Sequence, residues 1–172
     1  MRGILSFILL TCLATFALSV PPQVPSTAVS AERWKAENDA GSRALEQGRS
    51  PEAIRSFQTA IAEAEKLGWA DQRLAGSIYG VAQAYLLQGD TASGERLFQR
   101  SLGILENALG RDDPNVAVFL YNVATVYRLR GNYAEAIPPA RRSLAILEKA
   151  YGPEHQNVGI GLNYLALILG LR

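Results

Sequence analysis

The sequence has very few of the residues that carry chemistry in proteins. It contains one cysteine, Cys12, and one histidine, His155. Cys12 lies in an apolar N-terminal run, so the rest of the chain has no thiol and forms no disulfide, which suits an oxidising compartment. A single histidine excludes a cluster of histidine metal ligands. We therefore predict no catalytic residues, no cofactor, no metal site and no enzyme activity.

An excess of charge of one sign is also missing. The 17 Lys and Arg residues and 16 Asp and Glu residues give a net charge of +1, and the two signs are mixed along the chain. Binding to nucleic acid or to anionic lipid needs a concentrated basic face. The composition therefore predicts no nucleic-acid partner.

The N-terminal residues have the layout of a secretory signal peptide. A positive start, Met1-Arg2, precedes an uncharged apolar run at residues 3–20. Prolines follow, and small residues at 28, 30 and 31 offer cleavage sites. We expect residues 1–30 to be a signal peptide with a Pro-rich linker, residues 31–172 to be one domain, and the protein to be secreted or periplasmic. The alternative is an uncleaved membrane anchor that leaves the domain on the extracytoplasmic side, because about 17–25 apolar residues span a bilayer. A membrane is a partner only in that case.

From Glu32 onward, apolar residues recur with the 3.6-residue period of amphipathic helices, and no convincing β-rich segment interrupts them. The pattern predicts helices near residues 32–47, 51–67, 70–88, 91–109, 115–130, 133–150 and 155–169. The turns inside the hairpins are marked by Gly48, Gly89 and Gly131, at spacings of 41 and 42 residues. The predicted N-caps are Ser50, Asp90 and Asp113. Successive helices joined by tight turns predict αα-hairpins.

Part of the sequence is an internal repeat. The segment Ser101–Gly110 recurs 42 residues later as Ser143–Gly152, with seven of ten positions identical. A fixed period of this size is typical of helical repeat arrays. Glu106 and Glu148 recur at this period, which favours solvated or inter-repeat structural roles, and His155 is expected to start the last helix.

Small and aromatic residues repeat at the same period. The small positions are Gly41, Ala82 and Ala124 in the first helices of the hairpins, and Ala53, Gly94, Ala136, Ala60, Ser101 and Ser143 in the second helices. The aromatic positions are Phe57 and Phe98, then Tyr85 and Tyr127. In this pattern the chain resembles the tetratricopeptide repeat family. The period of 42 and the motifs at residues 113–117, 120–124, 133–138 and 152–155 resemble the kinesin light chain variety.

The resemblance implies an all-α fold, a right-handed α-solenoid of about three helix-turn-helix hairpins plus a C-terminal helix. Two features depart from the family pattern: Ala140 stands where the other repeats have an aromatic residue, and Pro139 adds a second proline to the one that the family has at Pro138. A proline pair inside a helix predicts a local bend.

The resemblance also implies a function in protein–protein interaction, with a partner peptide or helix, from another exported or envelope protein, in a concave groove lined by the first helices. Amides suit a peptide backbone because each offers a donor and an acceptor, and tyrosines supply flat contact area. The predicted groove residues are Asn38, Ser42, Tyr79, Gln83, Tyr121, Asn122, Thr125, Arg128 and Asn163.

The last helix is apolar nearly all round, whereas terminal repeats usually need a polar outer face. Its apolar residues are Leu162, Leu165, Leu167, Ile168, Leu169 and Leu171. We expect this surface to bind a second copy, giving a homodimer, or to receive a partner. The alternative function is therefore a membrane-anchored assembly module that docks through this helix.

Overall fold

The fold consists of helices alone across residues 26–170, the part of the chain that the structure, a computed structural model, describes. The predicted signal peptide, most of the linker and Leu171 lie outside these residues. The helices are α1 (Ser26–Glu46), α2 (Ser50–Lys66), α3 (Gln72–Leu87), α4 (Thr91–Leu109), α5 (Pro114–Leu129), α6 (Tyr133–Tyr151) and α7 (Gln156–Gly170).

The helices pack as successive antiparallel pairs. The most extensive contacts join α1 to α2, α3 to α4 and α5 to α6, and each pair also contacts the next one. Helix α7 packs on α6 as the first helix of a further unit. The prediction of an all-α array of three hairpins plus a helix is confirmed.

Helix α1 begins earlier than its apolar pattern indicated. It starts at Ser26, so residues 26–30, predicted as linker, are helical. Pro25 precedes the helix, and the chain then has neither proline nor glycine before Gly41. Without a helix breaker, the first turn extends back to the last proline.

Two of the three predicted N-caps are confirmed. The Asp90 carboxylate accepts a hydrogen bond from the Ser93 amide at 3.0 Å, and Asp113 accepts one from the Asn115 amide at 2.8 Å. The prediction for Ser50 is wrong. Arg49 holds the cap position without a side-chain hydrogen bond, and Ser50 lies buried inside the first turn of α2. Ser50 is therefore a buried residue of α2 and not its cap.

Helix α6 runs unbroken through Pro138 and Pro139. The prolines remove the amide donors that would reach the carbonyls of Ala134 and Glu135. Both of these residues are exposed, so water can take up the lost hydrogen bonds. The predicted bend stays a prediction.

The recurring serines of the second helices hydrogen-bond to the first helices. Ser101 Oγ donates to the Ala75 carbonyl at 2.6 Å, and Ser143 Oγ donates to the Ala117 carbonyl at 2.7 Å. Both serines are buried. Each hydroxyl thus finds a partner in the interior while its small size lets two helices approach closely.

The ring of Phe57 fits between two glycines of neighbouring helices. A Cβ atom added to Gly41 of α1 would lie 2.9 Å from the ring, and one added to Gly80 of α3 would lie 2.4 Å from Cζ. Phe57 is only 3% exposed. The ring therefore joins α1, α2 and α3 by filling a space that exists only because two side chains are missing.

Glu106 takes an inter-repeat role, and its repeat counterpart does not. Glu106 Oε1 lies 2.5 Å from Nη2 of Arg142 in the next hairpin, whereas Glu148 is exposed. His155 accepts a hydrogen bond from the Asn157 amide at 3.1 Å, which confirms its role at the start of α7.

Candidate protein-binding groove

A cavity of about 780 Å³ opens on the face formed by the first helices of the three hairpins. We call it the groove cavity. It is lined by Asn38, Ser42, Leu45, Glu46, Phe57, Gly76, Tyr79, Gly80, Gln83, Leu87, Val126, Leu129 and Arg130. Its volume lies within the range of about 300–1,000 Å³ that is typical of ligand sites in proteins.

One wall of the groove cavity is polar and contains four of the nine predicted residues, Asn38, Ser42, Tyr79 and Gln83. Ser42 Oγ donates to the Asn38 carbonyl at 3.0 Å, and Gln83 Nε2 donates to Tyr79 Oη at 3.0 Å. The Asn38 side-chain oxygen accepts a hydrogen bond from Ser77 Oγ at 2.9 Å. Within residues 26–170, the amide nitrogen of Asn38 and the amide oxygen of Gln83 keep their capacity to bind another group.

Tyr79 links this wall to the core. Its ring centre lies 5.3 Å from that of Phe98 and 5.0 Å from that of Phe119. Burial raises the pKa of the Tyr79 phenol well above its ordinary value, with a smaller contribution from Tyr164. The hydroxyl therefore stays neutral throughout the physiological pH range.

The rest of the lining includes apolar residues that were not predicted, and on α1 and α3 they follow the polar residues by one turn; we call this part the apolar wall. Leu45, Leu87, Val126 and Leu129 line it, and the exposed fractions of Leu87 and Leu129 are 56% and 71%. These two leucines each stand two residues before a turn glycine, at the repeat period. A large apolar residue at a solvent-facing repeat position was the signal that could have identified this wall.

The other predicted groove residues lie outside this cavity. Tyr121 packs on Tyr164 with ring centres 4.4 Å apart and lines a separate cavity of about 260 Å³ between α5 and α7. The guanidinium of Arg128 lies 5.8 Å from the Tyr164 ring centre, with its Nε buried. Thr125 Oγ1 donates to the Tyr121 carbonyl at 2.9 Å. Aromatic packing therefore fills this part of the face.

Asn122 and Asn163 are exposed on α5 and α7, outside both cavities. The role of the five residues outside the groove cavity in partner binding stays a prediction.

The apolar residues of α7 divide into an inner and an outer set. Ile168 is fully buried and Leu165 packs partly buried on the core, so placing Ile168 on a contact surface was wrong. The reason is that α7 packs on α6 through a stripe containing Val158, Tyr164 and Ile168. The outer set comprises Leu162, Leu167 and Leu169, with exposed fractions of 49%, 49% and 37%, and Ile160, at 49%, which was not predicted.

Residues 26–170 contain no helix that is long and apolar enough to span a bilayer. Across the same residues, no three His, Cys, Asp or Glu side chains lie close enough together to hold a metal ion.

Comparison with known families identifies the repeat. The tetratricopeptide repeat family matches residues 73–149 and 120–172, and a second description of the same repeat matches residues 38–104. The chain belongs to the tetratricopeptide repeat family. No curated protein shows a significant match to it.

Solved structures support the same fold. A kinesin light chain-type protein of Podosopora anserina with nearly identical TPR-like repeats is 21% identical, with a TM-score of 0.63. The match covers 81% of this chain and 66% of that one. BtubC (BKLC) from P. vanneervenii is 14% identical, with a TM-score of 0.65, over 80% of this chain and 56% of that one. The chain thus spans just under two thirds of the first protein, and at these identities the likeness concerns the fold alone.

Proposed function

We propose that the protein is an interaction adaptor that binds a segment of another protein in the groove cavity. Tetratricopeptide repeats generally mediate protein–protein interaction. The observation that carries the proposal is the meeting of α1, α3 and α5 around one cavity whose lining combines polar side chains with exposed leucines. Exposed apolar surface of this kind is typical of binding sites.

Replacing Leu129 by aspartate should weaken binding at the groove cavity at least about tenfold, because the contact loses a buried leucine worth about 1.5–3 kcal/mol. Since Leu129 is 71% exposed, the fold should persist. Peptides selected from a random displayed library on the full-length protein would serve as probes. Their dissociation constants are measured by fluorescence polarisation.

Leu167→Asp is the matched control, a leucine that is also exposed on a helix but lies outside the groove cavity. It should leave the affinity within about twofold of the wild type, since this corresponds to less than half a kcal/mol. Equal affinities of the wild type and Leu129→Asp would place the binding surface elsewhere.

We also propose that the protein is exported. The support is the order of positive start, apolar run, prolines and small residues within residues 1–31. N-terminal sequencing of the protein from its native host is expected to begin after Ala28, Ser30 or Ala31. Recovery of an intact Met1 would contradict cleavage and favour the alternative, a membrane-anchored protein.

A second candidate function is self-association through the outer face of α7, which would assemble the protein at a membrane if residues 3–20 stay attached. Ile160, Leu162, Leu167 and Leu169 expose apolar surface on one short helix, which favours this function. The double variant Leu162→Glu plus Leu167→Glu should turn a dimer into a monomer, halving the mass measured by light scattering.

Point variants are the cleaner test of self-association. Deletion of residues 154–172 would also remove Val158 and Ile168 from the core. A monomeric mass for the wild-type protein would exclude self-association.

A further inference from the structure

The two central helices of the groove cavity contribute no charge to it. The only charged residue of α3 is Arg73, which pairs with Asp71 and lies 3.4 Å from the centre of the Trp69 ring. The only charged residue of α5 is Arg128, whose guanidinium lies near Tyr164. The cation of each helix thus lies outside the cavity lining.

The charges that do line the groove cavity cancel. Glu46 comes from α1 and Arg130 follows the end of α5, one of each sign. An acidic or basic tail would gain little from this pair, and burying its charges against apolar walls would cost free energy.

Two glycines of α3 line the groove cavity. Gly76 is exposed and leaves open space on α3, whereas Gly80 is buried and the end of the Phe57 ring packs against it to form part of the cavity lining. Around this floor stand Leu87 and Leu129, both exposed to water in the absence of a partner. Covering them with apolar side chains would remove that contact with water, which is the main favourable term in association.

Resting on the proposed function, we propose that the groove cavity takes an uncharged protein segment that inserts large aliphatic or aromatic side chains between Leu87 and Leu129. The amide groups of Asn38 and Gln83 then bind the backbone of this segment. Such binding depends little on salt, since screening acts on charges. The binding of a charged segment would instead weaken as salt is raised.

The test uses a random-peptide display library selected on the full-length protein, followed by affinity measurements on two glycine variants. Gly76→Leu places a side chain in the groove cavity, and the added Cβ meets no atom within 4 Å. Gly103→Leu, in α4, is the matched control, because its Cβ also meets no atom within 4 Å and Gly103 does not line the groove cavity. Thermal unfolding of both variants verifies that each is folded.

The selected peptides are expected to be rich in Leu, Ile, Phe or Trp with no net charge. Their dissociation constants should change less than about twofold between roughly 0.05 M and roughly 0.5 M NaCl. Gly76→Leu should bind these peptides at least about tenfold more weakly than the wild type, as expected for a blocked apolar contact, and Gly103→Leu should bind them with unchanged affinity.

If the selected peptides are charged, bind less tightly as salt is raised and bind Gly76→Leu more weakly than the wild type, this inference is overturned. The groove cavity then remains the binding site. If apolar peptides bind Gly76→Leu and the wild type with equal affinity, the groove cavity is not the binding site, and the proposed function is overturned as well. If the wild type self-associates and Gly76→Leu does not, the occupant of the groove cavity is a second copy of the chain. This result would also overturn the inference.

Discussion

Replacing Gly80 by leucine should lower the free energy of unfolding by about 3 kcal/mol, the upper part of the usual range for overpacked sites. The added side chain would overlap the Phe57 ring, which is 3% exposed and also packs closely against Gly41. The Phe57 ring must therefore leave its packed position, or α1 and α3 must move apart. Urea unfolding followed by circular dichroism measures the loss.

Gly76→Leu, one helical turn earlier in α3, is the matched control for this prediction. Its Cβ meets no atom within 4 Å, so helix propensity should raise the stability by up to about 1 kcal/mol. Phe57→Leu in the Gly80→Leu chain should recover part of the loss, because the steric conflict is with the ring. Equal losses for the two glycine variants would mean that Phe57 is not the cause.

Ile168→Asp should cost more than about 4 kcal/mol, because it places an unpaired carboxylate in a fully buried site. Leu167→Asp, at the adjacent residue but 49% exposed, should cost less than about 1 kcal/mol. The two variants place an aspartate about 100° apart around α7, one in the core and one at the surface.

The damage from Ile168→Asp should begin locally, since each unit of a repeat array contacts only its neighbours. Amide hydrogen exchange resolved by mass spectrometry should show lost protection first in α7 and in the adjoining α6. Similar protection of residues 156–170 in both variants would contradict the inward orientation of Ile168.

Much of the candidate site could be predicted from the sequence, and its limits have a physical cause. Repeat alignment placed Asn38, Ser42, Tyr79 and Gln83 on the inner face, and they line the groove cavity. The same alignment placed Tyr121 and Arg128 there, but the packing of α7 brings Tyr164 against both. Contacts between hairpins depend on the neighbouring unit, which a repeat position by itself does not specify.

The sequence by itself determined the number of helices, their turns and the starts of α4 and α5, because caps, turn glycines and apolar periodicity act within a few residues. The tertiary structure decided which surfaces stay open. Only the meeting of α1, α3 and α5 turned Leu87 and Leu129 into the wall of a cavity, and only packing on α6 divided α7 into inner and outer faces. These outcomes depend on contacts between residues far apart in the chain, so local patterns mark Leu87 and Leu129 as unusual but do not show which surfaces remain open.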